Sequence, residues 1–425
     1  MDELVIHIRR NLGQLLEYKK NNFPRQLKSR MEIAMKDTPV VLINGPRQSG
    51  KTTLVKEYSP SLPYYTLDDD NILNAVKQDP VGFVNRIDTA IIDEIQRAPE
   101  LLRAIKRSID ENRQPGRFLL TGSANLLALP QIGDSLAGRM EILTLFPLSL
   151  AEIQRRENHF IKYTLDQSWP SHLTHSEQSD FISQALTGGY PEMLTRPAFE
   201  RRNAWAKSYI KAIVERDVKD ISSIEKLVEM PRLLEVLAQQ SGKLTNFTQI
   251  GGQLNLDTKT AQKYVGLLET LFLVHQLRPW HSNTLSRIVK TPKIHFIDSG
   301  LLACLNRVTM ESIEKDKSSF GALLETWVYS ELLKMCTLAN EPWNIYYYRD
   351  KDLVEVDFIL ENHARKIIGI EVKASQTILN QDFRGLRKLA SLADKNWISG
   401  LVLYSGDKCL SFGDNLWAIP FSFLD

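Results

Sequence analysis

At 425 residues, 43% of them apolar, the chain exceeds what one hydrophobic core usually serves, and roughly two to four domains are expected. A formal charge of +2, from 53 basic and 51 acidic residues, excludes a global field for nucleic acid or an anionic membrane, so such binding must rest on local patches. Cys304, Cys336 and Cys409 form no disulfide framework, no apolar run reaches ~18 residues, and Met1-Asp2-Glu3 opens no basic leader. A reducing, cytoplasmic setting without membrane contact is the expectation.

Residues 1–36 alternate apolar and basic positions (Ile8, Leu12, Leu15, Leu16, then Arg25, Lys28, Arg30), and Pro24 divides two helical pieces. They read as an amphipathic leader packed on the next domain, with a basic contact to a partner as the lesser reading. Val40-Val41-Leu42-Ile43-Asn44 then forms a short apolar run that breaks into Gly45-Pro46-Arg47-Gln48-Ser49-Gly50-Lys51-Thr52 and resumes a helical pattern from Thr53. Strand, glycine-framed turn and helix fit G-x-x-x-x-G-K-[ST]. Gly45 and Gly50 permit backbone angles closed to other residues, so N–H groups can point into one concavity at the positive end of a helix. The segment Gly45 to Thr53 is predicted to cradle the phosphates of ATP, with Lys51 on the β- and γ-phosphates and Thr52 ligating Mg²⁺.

Pro63 to Leu67 reads as a second strand, and Ala90-Ile91-Ile92-Asp93-Glu94 as a third that ends in two carboxylates. Asp93 is expected in the Mg²⁺ shell, and Glu94 is placed to orient and deprotonate an attacking water. Arg117 to Ser123 and Glu141 to Leu145 add further strands. Strands alternating with helices predict an α/β fold for residues 37–150, a parallel sheet with helices on both faces. If the Thr121–Ser123 strand lies between the first and third, Ser123 faces the γ-phosphate; a plain Thr-Gly-Ser turn is the competing reading. Arg139, in Leu136-Ala137-Gly138-Arg139, is a candidate for stabilising transition-state charge in cis or from a neighbouring subunit, against a surface salt bridge.

Residues 151–240 turn helical and polar, as a lid or connector. Asn158 to Gln178 reads as a loop whose His172-x-x-His175 lacks the further ligands a metal needs. Trp205, Tyr209, Ile213 and Val214 make a core stripe, followed by Glu215-Arg216-Asp217, an ion-pair cluster or a route for Arg216 to the nucleotide. In residues 241–290 a short helix from Thr248, a turn at Asn255-Leu256-Asp257, a longer helix to Phe272 and a strand from Leu273 suggest a winged helix-turn-helix. Lys259 and Lys263 would face outward, toward DNA or a protein partner.

Residues 291–425 carry a second constellation. Asp298-Ser299-Gly300 matches an aspartic-protease triplet, but no second triplet exists and that chemistry is set aside. Val354 to Leu360 and Lys366 to Lys373 read as a hairpin with His363 in its loop, pairing Asp357 with Gly369 and putting Asp357, Glu371 and Lys373 on one face. Two close carboxylates call for a cation, and oxygen ligands favour Mg²⁺ or Mn²⁺. The lysine beside them suits metal-dependent phosphodiester cleavage. Gly369 would leave room for a backbone or substrate to approach. Glu325, on the apolar stripe of a helix with Val328, Tyr329 and Leu332, needs a partner, and a shared metal would supply one.

With these residues on the page, the stretches Gly45–Thr53, Ile92–Gln96, Leu120–Ser123, Leu136–Arg139, Gly188–Glu192, Phe296–Leu301 and Ile370–Lys373 resemble prokaryotic AAA-like ATPases with a C-terminal domain of unknown function, itself similar to the PD-(D/E)xK nuclease superfamily. The resemblance covers nearly the whole chain. It implies that Lys51, Thr52, Asp93 and Glu94 bind and hydrolyse ATP, and that Glu325, Asp357, Glu371 and Lys373 form a nuclease-type site. The expectation is an ATPase coupled to a DNA-associated winged-helix and nuclease-like module. The alternative is a regulatory NTP switch whose C-terminal domain binds a partner without cutting. A homo-oligomer or protein partner is left open.

Overall fold

The computed structural model describes residues 23–125, 138–170, 181–218, 227–282, 291–339 and 341–424. The expected leader up to Leu16, the Leu136-Ala137 pair and His172-x-x-His175 lie outside them. Just beyond Pro24, helix α1 (Leu27–Asp37) buries Leu27, Met31, Ala34 and Met35, an i, i+4, i+7, i+8 stripe turned to the sheet behind it.

Five strands build that sheet: β1 (Val40–Asn44), β2 (Tyr64–Thr66), β3 (Ala90–Asp93), β4 (Phe118–Gly122) and β5 (Met140–Thr144), in the order β2-β3-β4-β1-β5 and all parallel. Their central members are apolar without alternation because both faces are covered. Val40, Leu42, Ile92 and Leu120 enter one core, and Val41, Ile43, Ile91 and Leu119 the other. The first core includes helix Leu101–Glu111; the second is filled by α1 and by α2 (Lys51–Tyr58), the helix that follows β1. The class is α/β, and β4 lies between β1 and β3, so the carboxyl ends of all three strands open side by side.

Beyond β5, Ser149 caps helix α3 (Leu150–Gln154) in a reciprocal capping box with Glu152. Helix α4 (Phe199–Ala212) runs into one π turn, Ile213–Asp217. Next come α5 (Phe247–Gln253) and α6 (Thr258–Thr270), capped by Asn246 and Asp257, and an antiparallel pair, β6 (Val274–Leu277) with β7 (Lys293–Phe296). This is a helix-turn-helix followed by a two-stranded ribbon; residues 283–290 between the strands lie outside the described set.

Helix α7 (Ser318–Leu338) leads to the six-stranded sheet of β8 (Trp343–Arg349), β9 (Glu355–Asn362), β10 (Ile367–Lys373), β11 (Trp397–Tyr404), β12 (Leu410–Ser411) and β13 (Leu416–Pro420), ordered β12-β13-β11-β10-β9-β8. β10 and β11 are parallel, and helix α8 (Arg384–Ala393) makes the crossover that parallel neighbours require. Side chains alternate as a two-sided sheet demands: Phe358, Leu360, Ile368 and Ile370 pack with the α7 side, Ile359 and Ile367 with the α8 side.

Two expectations for this sheet need correction. The hairpin turns tightly at Asn362–Lys366, so Gly369 pairs with Ile359 and Ile370 with Phe358, a register two residues from the expected one. A two-residue slip preserves the face, so Asp357 still shares a side with Glu371. Gly369 leaves no room for substrate: a Cβ there would lie 2.7 Å from Leu386 and 3.1 Å from Leu389, so its role is close packing of α8.

Candidate active site: a phosphate cradle and a carboxylate cluster

Gly45 leaves β1 at φ 139°, where a Cβ would come within 2.2 Å of the Leu145 carbonyl oxygen, and Gly50 takes φ 97° as α2 begins. Both angles favour glycine, and between them Pro46, Arg47, Gln48 and Ser49 curl into a concave loop. Lys51 turns its Nζ back into that loop, donating to the carbonyls of Gly45 (3.0 Å) and Pro46 (2.9 Å). Burial lowers its pKa to about 8, opposed by Glu94 and Asp93. The Ser49 hydroxyl, unexposed in the loop, has no hydrogen-bond partner. A buried ammonium resting on carbonyls and an orphaned hydroxyl fit a loop shaped for an acceptor-rich anion such as a triphosphate. Thr53 is half-buried on α2 behind it.

Across the strand ends, Asp93 is buried and accepts from Thr52 Oγ1 (3.0 Å to Oδ2), from the Tyr64 hydroxyl (2.5 Å) and from Thr121 Oγ1. Thr52 and Asp93 are therefore in direct contact, the geometry that could hold Mg²⁺ between them. Glu94 adopts φ 60°, a left-handed conformation that breaks β3 and swings its carboxylate out of the strand. Gln96 then holds the pieces together: Nε2 donates to Glu94 Oε2 and to Ser123 Oγ (2.9 Å), and Oε1 accepts from the Ser123 amide (3.3 Å). Ser123 thus sits beside Glu94 at the mouth of the loop.

Arg139 does not. Its carbonyl accepts from the Val40 amide, at the start of β1, and its guanidinium pairs with Asp110. A five-residue strand, roughly 16 Å long, separates it from the loop, which speaks against the in-cis role and for the salt bridge, the other reading of this residue. Arg216 reaches Asp68 at 3.4 Å. Its neighbour Asp217, on the π turn, instead pairs with Arg47 of the loop at 2.8 Å, while the Tyr209 hydroxyl donates to the Arg47 carbonyl (3.2 Å). Sequence reasoning placed Asp217 in an ion-pair cluster without its partner Arg47, and it missed the roles of Gln96 and Arg25. Arg25 donates to the Ser49 carbonyl (2.5 Å) and the Phe146 carbonyl (2.7 Å), and pairs with Glu152 at 3.1 Å. A basic residue just after the leader's proline was its only signal.

The second cluster assembles from four elements. Asp357 Oδ2 accepts the Val372 amide (2.9 Å), and Glu371 shares a side-chain hydrogen bond with it. Burial and Asp357 push Glu371 well above the ordinary carboxylate range, against the pull of Lys373, whose Nζ lies 3.6 Å away. Burial and Asp357 likewise push Glu325 up to about 8. The partner expected for Glu325 is present, but it is a lysine: Lys293 Nζ stands 3.1 Å from Glu325 Oε1 and 2.6 Å from Glu355 Oε1. Lys293 and Glu355 were not foreseen, since β7 lies far from β9 in sequence. Among the described residues, no three His, Cys, Asp or Glu side chains are placed to hold a metal as they stand. The donor set is nonetheless oxygen-rich and burdened with negative charge, which fits a hard divalent cation.

The strand-end loop and its paired acids define an AAA-like ATPase domain of the P-loop kind, a nucleotide-binding fold. Comparison with known proteins agrees: residues 37–154 match the family described as "AAA domain", 178–312 "Domain of unknown function (DUF8612)" and 320–424 "Domain of unknown function (DUF4143)". The chain is 29% identical over 398 residues to "Uncharacterized protein Rv2008c" of Mycobacterium tuberculosis, covering 93% of this chain and 83% of that one. It is 23% identical over 376 residues to "Uncharacterized protein MJ1544" of Methanocaldococcus jannaschii, covering 84% and 80%. Among solved structures, the Walker-type ATPase PABY2304 of Pyrococcus abyssi aligns at 14% identity and a TM-score of 0.39, over 67% of this chain and 96% of that one. No described helix is long and apolar enough to cross a membrane.

Proposed function

We propose that the chain hydrolyses ATP with Mg²⁺ and uses the cycle to govern a DNA-directed phosphodiester chemistry in its C-terminal domain. The observation that carries the first half is that, at the carboxyl ends of β1 and β3, Thr52 bonds to Asp93, Thr121 joins the Glu94 amide to the same aspartate, and both carboxylates act by charge on the Lys51 ammonium. Lys51 would leave the loop carbonyls for the β- and γ-phosphates, and Thr52 and Asp93 would hold the ion that neutralises them. Glu94, steadied by Gln96 and Ser123, would take the proton of the attacking water. The helix-turn-helix, with Lys259 and Lys263 on α6, supports DNA as the partner of the second half. Glu325, Asp357 and Glu371 would hold Mg²⁺ or Mn²⁺, which would supply charge neutralisation and water activation when bound, and Lys373 would steady the developing negative charge.

The test is turnover of the full-length protein. Glu94→Gln should retain ATP binding and lose about 10²-fold or more in kcat; unchanged turnover removes Glu94 from its role. Plasmid nicking with Mn²⁺, compared with Lys373→Ala, tests the second half. The regulatory-switch reading is favoured by one observation, the seating of Lys293 on Glu325 and Glu355; ATPase activity unaffected by DNA, together with no nicking by either protein, would select it.

A further inference from the structure

The carboxylate cluster already contains a cation, and the chain supplies it from outside the C-terminal sheet. Lys293 opens β7, the second strand of the ribbon behind the helix-turn-helix. Its side chain is 3% exposed and lies between Glu325 on α7 and Glu355 on β9. The strand is tied on both flanks, Lys293 pairing with Leu277 on one side and Gly242 donating to the Ile294 carbonyl (2.8 Å) on the other. The ammonium is therefore presented by a fixed backbone.

Two residues further along, His295 is unexposed, and its Nδ1 stands 3.2 Å from the Thr326 hydroxyl. Its Nε2 has no hydrogen-bond partner and stands 3.7 Å from Glu325 Oε1, the same oxygen that Lys293 occupies. A ring nitrogen buried beside a carboxylate without a hydrogen-bond partner is costly. It suits a cation in the place of the ammonium.

We propose that Lys293 is a resident plug: its ammonium fills the position of the divalent cation, and a metal ion enters only by displacing it from Glu325. This rests on the divalent-cation site of the function proposed above, and not on cleavage, since without a metal there is nothing to exclude. The plugged arrangement also accounts for why, among the described residues, no three of these side chains are placed to hold a metal as they stand: Glu325 is drawn to Lys293, while Asp357, which accepts the Val372 amide, and Glu371 hold to each other and to Lys373. Because the plug hangs on the ribbon of the helix-turn-helix, anything that moves the ribbon on binding would open the site.

The experiment titrates Mn²⁺ into the full-length protein without nucleotide and reads free Mn²⁺ by electron paramagnetic resonance. Lys293→Gln, which can still hydrogen-bond to both glutamates, should bind Mn²⁺ about 10-fold more tightly than the wild type. Lys293→Arg, which keeps the charge, should not, and Asp357→Asn added to Lys293→Gln should erase the gain. Equal affinity in wild type and Lys293→Gln overturns the proposal, as does a gain that survives Asp357→Asn. Should Lys293→Gln fail to fold, Glu355→Gln takes its place: it leaves Lys293 one anchor and should give a smaller gain, and no gain at all counts against the plug. Tighter Mn²⁺ binding without DNA nicking would uphold the plug and sink the cleavage reading, so the two can fail separately.

Discussion

At the head of α2 a buried ammonium rests on backbone carbonyls, whereas at the ends of β9 and β10 a half-buried carboxylate, Glu355, and a buried one, Glu371, rest on ammoniums. The first centre is short of an anion and comes from one contiguous segment plus the strand ends beside it. The second is oversupplied with anions, draws on β7, α7, β9 and β10, and carries its own cations. The difference teaches how each would respond to a ligand. The cradle gains from any triphosphate that replaces weak acceptors, while the cluster must first surrender an ion pair.

The comparison breaks most sharply at Lys51. Lys51→Met should weaken ATP binding by about 100-fold or more, because charge-assisted contacts to phosphate are the strong ones; fluorescent-nucleotide titration checks it, and near-normal affinity would mean that the loop alone suffices. Next in size is Glu331→Ala, which strands Lys334 and the Leu150 amide in the interior. It should cost about 3 kcal/mol, read as a lower urea midpoint, because one member of a buried pair is left uncompensated. Removing the exposed Glu311–Lys315 pair with Glu311→Ala should change stability by less than about 0.5 kcal/mol.

A pH series sharpens the contrast further. Lys51 has its pKa lowered from 10.5 to about 8 in the free protein, so above 8 the folded chain sheds a proton that the unfolded chain keeps up to 10.5. Stability through this group rises across that window. ATP needs the charged form, so affinity should fall by up to about tenfold per pH unit above 8, and binding near pH 8.5 should take up a proton. Calorimetry in two buffers of different ionisation enthalpy measures the uptake; none would place the ammonium elsewhere. A small effect on binding is expected from Asp217→Asn, which loosens Arg47 from the π turn and should raise ATP affinity by about threefold; an unchanged affinity would show that Arg47 does not meet the phosphates.

Much of the cradle was legible because its chemistry is local. Gly45, Gly50, Lys51 and Thr52 occur in a spacing that backbone sterics and helix polarity impose, and Asp93-Glu94 follow an apolar strand whose neighbours were evident from β-branched runs. The parallel sheet followed from the same alternation. What escaped was held by distant partners: Gln96 between Glu94 and Ser123, Arg25 beneath Ser49, Lys293 under Glu325. Such pairs depend on which elements pack together, and no periodicity encodes that. Arg139 and Gly369 misled for the opposite reason. Each sits next to a recognisable pattern, but strand direction carries Arg139 to the wrong end of β1, and α8 fills the space beside Gly369.

Helix α7 ties these centres into one object. Glu325 lies in its first half, and two turns on Glu331 accepts the Leu150 amide while Lys334 donates to the Leu148 carbonyl, in the segment whose Phe146 and Glu152 are bound by Arg25 beneath the cradle. A rod of about 30 Å gripped at such close intervals tilts as a whole if its grip on residues 148–150 shifts. Neither half can then be exchanged alone: a hybrid of this ATPase with a relative's C-terminal part should misalign unless the donor brings its own 146–152 segment and the arginine that clasps it.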